Sequence, residues 1–138
     1  MKRVLLALAF LPVMCATAAS AQEAVNVGTG AVLRALDKLN AKVSDVTLAN
    51  GRSEVMGLLE VSLRECRYPA GDPSGNAYAF LAIREAGVAQ PVFEGWMIAG
   101  SPALNPLDHA RYDVWVLRCT TDQGADQGAD QAGEQAED

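Results

Sequence analysis

Val55-Met56-Gly57-Leu58-Leu59-Glu60-Val61-Ser62-Leu63-Arg64 is the stretch on which the fold turns. Val55, Gly57, Leu59, Val61 and Leu63 alternate with Met56, Leu58, Glu60, Ser62 and Arg64. A period of two belongs to a strand with one face in a core, so the odd positions are expected inside. Cys66 falls on the opposite face; a bulge near Arg64-Glu65 would turn its sulfur inward.

Upstream, Val46-Thr47-Leu48 leads into Asn50-Gly51, a hairpin signal because both residues tolerate positive φ. Val32 to Leu39 sets Val32, Leu36 and Leu39 at helical spacing, with Arg34, Asp37 and Lys38 turned away. That spacing predicts a short N-terminal helix, capped by Thr29. Downstream, Tyr68 to Gly75 is a loop by its Pro, Gly, Asp and Ser content. Tyr78 to Ile83 and Val92 to Ala99 read as strands, with a turn over Glu85 to Pro91 between them. Gly100 to Arg111 holds Pro102 and Pro106 and should be irregular. Tyr112 to Cys119 closes the domain, with Trp115, Leu117 and Cys119 on one face and Tyr112, Val114 and Val116 on the other. The expected fold is mainly β: a small antiparallel β-barrel or sandwich.

The whole chain has 138 residues, half of them hydrophobic, and a net charge of −6. It is too apolar for wholesale disorder and too acidic to bind nucleic acid. The charge is uneven. Residues 22–121 carry nine basic and eleven acidic side chains, whereas 122–138 carry six acidic and no basic ones. Met1-Lys2-Arg3, the apolar run Val4 to Met14 and Ala19-Ser20-Ala21 read as a signal peptide over residues 1–21, cleaved after Ala21. The protein is then periplasmic, with no integral span after cleavage. Residues 22–121 form the β-rich exported domain. Residues 122–138, with the repeat Gln123-Gly124-Ala125-Asp126 and Gln127-Gly128-Ala129-Asp130, read as an acidic, disordered, low-complexity tail.

Cleavage removes Cys15 and leaves Cys66 and Cys119. An even count in an exported chain points to one disulfide, and the alternative is a pair of metal-binding thiolates. No metal, cofactor or catalytic set is expected otherwise. His109, beside Asp108, could act as a general base in a hydrolase or as a lone ligand, but a histidine that hydrogen-bonds loop backbone is the simpler reading. Gly100-Ser101-Pro102 is not a nucleophile elbow, and Glu54, Glu60 and Glu65 form no acid–base pair. The unusual segment is Gly95 to Trp115. Its residues Trp96, Met97, Ser101, Pro102, Leu104, Asn105, His109, Tyr112 and Trp115 are the candidate interaction surface. The competing readings are that they fill and lid a barrel, or line a barrel mouth that takes a lipid, quinone or glycan.

Val92-Phe93-Glu94-Gly95-Trp96-Met97-Ile98-Ala99-Gly100-Ser101-Pro102-Ala103-Leu104-Asn105, continuing through His109 and Tyr112-Asp113-Val114-Trp115-Val116-Leu117 to Cys119, resembles the signature of an exported family of alphaproteobacterial type, domain of unknown function 2155. Leu36-Asp37-Lys38, the strand from Gly57-Leu58 to Cys66, and Ala79-Phe80-Leu81 fit the same pattern, so the resemblance spans roughly Leu33 to Cys119. It implies export and a paired Cys66–Cys119, and no established activity. Genes of this family tend to lie near one for an accessory subunit of respiratory complex I. That implies an envelope protein or membrane complex as partner, and a role in assembly or stability.

Overall fold

The structure, a computed structural model, describes residues 22–122. The signal peptide expected over 1–21, and all but the first residue of the tail expected over 122–138, lie outside these. Among the described residues eight strands run in the order β1 (Val25–Val27), β2 (Gly30–Asp37), β3 (Lys42–Ala49), β4 (Arg52–Met56), β5 (Leu59–Pro69), β6 (Tyr78–Glu85), β7 (Pro91–Ile98) and β8 (Tyr112–Thr120). A single 3-10 turn, Pro102–Leu104, interrupts the β7–β8 connection. The larger sheet has the order β1-β5-β6-β7, with β4 also paired to β5; the smaller has the order β3-β2-β8. Every pairing is antiparallel. The two sheets enclose one apolar core and do not close into a barrel, so of the two expected architectures the sandwich is the one present.

The short helix expected over Val32 to Leu39 does not form. The segment read as helical, Val32 to Leu39, lies mostly in β2, the central strand of the smaller sheet, paired on both sides by β3 and β8. Ala31, Leu33 and Ala35 point into the core, and Val32 is buried on the outer side as well. Ladders on both edges outweigh the modest helical preference of Ala, Leu and Arg.

The opening stretch is likewise two strands rather than one. Gly57 has φ of +66° and turns the chain between β4 and β5. A Cβ there would collide with the Tyr112 ring. The turn exchanges the faces: Met56 before it and Leu59, Val61 and Leu63 after it are buried, while Val55 is 62% exposed. Asn50-Gly51 does turn the chain, but β3 and β4 belong to different sheets, so it makes a corner of the sandwich and not a hairpin.

Cys66 and Cys119 reach the core by the same device. In β5 the register shifts between Leu63 and Glu65, which leaves Arg64 as an extra residue and turns Cys66 inward. In β8 the partners of Val32 and Leu33 are Arg118 and Val116, so Leu117 is the extra residue. Cys119 therefore joins Tyr112, Val114 and Val116 on the buried face, contrary to the face that simple alternation assigns it. Cys66 and Cys119 form a disulfide that ties the larger sheet to the smaller.

β7 ends near the disulfide, while β8 begins at the far end of the sandwich. The irregular segment 99–111 joins them along that flank. Leu107 is 5% exposed and plugs the core from this segment, and Asn105 Nδ2 donates to the Trp96 carbonyl oxygen at 2.9 Å. The bond occupies an edge acceptor of β7 that would otherwise be open to another strand. Among the described residues no helix is long and apolar enough to cross a membrane.

Candidate functional site

Alternation along β5, β6 and β7 sends one set of side chains into the core and the other to the outer face of the larger sheet. Inward go Leu63, Leu81, Ile83, Phe93 and Met97. Outward go Phe80 and Trp96, which are cross-strand partners. Their rings meet edge to face, with centroids 5.3 Å apart and planes at 88°. Both are half-buried, although among the described residues no further layer covers this face.

Two arginines from β5 lie over this pair. The Arg64 guanidinium sits 5.0 Å from the Phe80 centroid, and that of Arg67 sits 4.9 Å from the Trp96 centroid. The bulge that turns Cys66 inward is what puts Arg64 in reach of the aromatic ring, since Arg64 is its extra residue. Arg64 Nη2 donates to Glu94 at 2.9 Å, and Arg67 Nη2 donates to Glu65. The carboxylates fix both guanidinium planes over the rings. Each stacking is worth roughly 0.5–1 kcal/mol at an exposed site. The result is an ordered patch of Trp, Phe and Arg, the side chains that carry binding energy most often when a partner removes water from them.

The structure does not bring the nine candidate residues onto one face. Trp96 and Asn105 lie at the patch, joined by the hydrogen bond above. Ser101, Pro102 and Leu104 are exposed on the neighbouring turn, with Leu104 73% exposed. Met97 and Tyr112 are core residues, 3% and 4% exposed. Trp115 lies on the opposite sheet, beside Arg34 on its outer face. Phe80, Arg64 and Arg67 were absent from the sequence-based set. Tyr78, Phe80 and Ala82 alternate with the buried Ala79, Leu81 and Ile83, and that pattern marks Phe80 as a large ring facing out.

His109 fastens the β7–β8 segment. Its Nδ1 accepts from the backbone N–H of Arg111 at 3.1 Å and of Tyr112 at 3.0 Å. Nδ1 therefore carries no proton, and Nε2–H donates to Glu85 at 3.1 Å. Both ring nitrogens are engaged by the protein itself. Nearby, Arg111 grips Asp37 through Nε and Nη2, at 3.2 and 2.8 Å. These hydrogen bonds hold the Asp37 carboxyl below its usual range, with burial pulling the other way. Among the described residues no group of three or more His, Cys, Asp or Glu is placed to hold a metal ion.

The sequence profile of a family described as an uncharacterised protein conserved in bacteria, domain of unknown function 2155, matches residues 31–119. That span runs from the first core residue of β2 to Cys119, and it includes Arg64, Arg67, Phe80 and Trp96. An uncharacterised protein of Rickettsia prowazekii (strain Madrid E), RP359, is 24% identical over 94 residues, covering 66% of this chain. The aligned stretch spans 61% of that relative's own length. No solved structure matches the chain.

Proposed function

The chain belongs to the domain of unknown function 2155 family, and from that premise we propose that it is a non-catalytic interaction module of the cell envelope, docking a protein partner on the outer face of the larger sheet. One observation carries the reading: an edge-to-face Phe80–Trp96 pair under two carboxylate-anchored arginines, on a sheet face that no other described element covers. Its side chains are already oriented, so little rotamer entropy is lost when a partner arrives. The exposed Leu104 lies on the turn next to this patch and extends it.

The module works in the periplasm, delivered by a signal peptide cleaved after Ala21. The basic start, apolar run and small-residue site support export, and a disulfide suits an oxidising compartment. Its partner is a membrane complex, with respiratory complex I as the candidate that the gene neighbourhood suggests, and its role is to assist assembly or stability.

A photo-crosslinking residue placed at Ala82, beside the patch, tests the reading in native envelopes. The expected result is one dominant adduct that disappears when Trp96→Ala is added, while the melting temperature holds. The same crosslinker at Thr47, on the other sheet, should give no such adduct. Equal adducts from both positions, or an adduct indifferent to Trp96, would remove the patch as the docking site. Mass spectrometry of the periplasmic fraction should find an N-terminus at Gln22.

A further inference from the structure

At the end of the sandwich away from the disulfide the two sheets leave a cleft of about 320 Å³ between them. Its floor is Ala35 from β2 and Met56 from β4, with Leu58 of the β4–β5 turn beside them. Leu58 is 57% exposed, a large apolar side chain left in water at the mouth. Asp37, Asn40, Lys42, Ser44, Arg111 and Tyr112 supply the polar part of the lining.

The hydrogen-bonding groups of this lining are unbalanced. Its carboxylate and amide acceptors are engaged: Asp37 takes Arg111 and the Leu39 N–H, and Asn40 Oδ1 takes the Lys42 N–H at 2.9 Å, while the Ser44 hydroxyl can donate as well as accept. Its donors are not. The Tyr112 hydroxyl oxygen accepts from the Leu58 N–H at 3.3 Å, and its own hydrogen meets no acceptor among the described residues. Lys42 Nζ makes no ion pair among them. With Arg111 matched by Asp37, Lys42 leaves the rim with one excess positive charge.

We propose that this cleft binds a small aliphatic carboxylate. Its anionic oxygens meet Lys42 Nζ and the Tyr112 hydroxyl, and its chain covers Ala35, Met56 and Leu58. The volume stands at the lower end of the ligand-site range, about 300–1,000 Å³, which limits the occupant to a short chain. Anionic oxygens are the acceptors that the surplus donors lack, and charge-assisted hydrogen bonds are roughly twice as strong as neutral ones. The site is separate from the aromatic patch on the outer face, so neither proposal depends on the other.

The test is an NMR titration of the full chain with octanoate, using octanol as a neutral probe of equal length. Octanoate should give saturable shifts of the Lys42, Leu58 and Tyr112 amides, with octanol at least tenfold weaker. Lys42→Gln, and separately Tyr112→Phe, should each weaken octanoate roughly tenfold, the loss of one charge-assisted bond. Tyr112→Phe keeps the ring against Gly57, and its melting curve reports whether the core is intact. Absence of saturable shifts at the cleft, equal binding of octanol, or undiminished affinity in both variants would overturn the proposal.

Discussion

One end of the sandwich is fastened by a covalent bond among small residues, the other by a histidine, an ion pair and a tyrosine. At the first end Cys66 and Cys119 are buried among Ala31, Ala79 and Gly28, and the backbones approach so closely that a Cβ on Gly30 would strike the Leu48 carbonyl oxygen. At the second, Tyr112 lies against Gly57, Arg111 grips Asp37, and His109 gathers two backbone N–H groups while reaching Glu85. The first end is tightly packed around the disulfide. The second keeps polar groups, a cleft and an exposed leucine. Stability and adaptability are thus separated along the length of one small domain, and low-stability elements are where ligands are usually received.

This comparison can be broken most severely at the closed end. Cys66→Ala with Cys119→Ala should cost about 2–5 kcal/mol, read as a fall in denaturation midpoint under non-reducing conditions. A midpoint unmoved would mean that packing alone holds that end. Gly30→Ala should follow at about 1–3 kcal/mol, because the new methyl meets backbone that cannot swing aside. At the open end, His109→Ala strips the acceptor from two backbone donors and should cost about 1–3 kcal/mol by thermal unfolding, with Asn at the same position restoring part of it.

Acid titration sharpens the contrast further. Asp37 has its carboxyl held low by Arg111, so its contribution is complete above the usual carboxylate range near pH 4 and fades as pH falls through its depressed folded value. Asp37→Asn should therefore be less stable than the parent at neutral pH and converge with it in acid. Hydrogen exchange should show the β2–β3 turn losing protection first. The smallest effect is expected at Ala41, a non-glycine residue at φ of +58° in that turn. Ala41→Gly should be neutral to stabilising, by up to about 1 kcal/mol in thermal unfolding.

Much of the architecture was legible in the sequence. Tyr78 to Ile83, Val92 to Ala99 and Tyr112 to Cys119 announce strands through β-branched and aromatic alternation, and Pro102 and Pro106 announce the break between β7 and β8. The misreadings have separate causes. β2 carries its inward signal on Ala31, Leu33 and Ala35, and two alanines make a faint alternation beside the helical spacing of Val32, Leu36 and Leu39. The hairpin at Gly57 is hidden because Met56 and Leu59, on either side of the turn, and Leu58 within it are all apolar, so the hydrophobic run continues across it. The outer patch was half legible. Trp96 drew notice by its size, but its companions Arg64, Arg67 and Phe80 come from two other strands, and only the register of β5 and β6 unites them. His109 reads from the sequence as a loop-bonding residue, because one imidazole beside one carboxylate lacks the company that chemistry needs. It does hydrogen-bond the loop backbone.

The bulges at Arg64 and Leu117 act on their strands as a one-letter insertion acts on a reading frame. Everything upstream keeps its sense, and everything downstream is read with inside and outside exchanged. Each cysteine is translated to the interior only because its own strand carries the extra letter. Removing either letter would send one sulfur to the surface while leaving composition and apolar content almost untouched. The two shifts are therefore a matched pair of frames that must agree before the chain can be closed on itself.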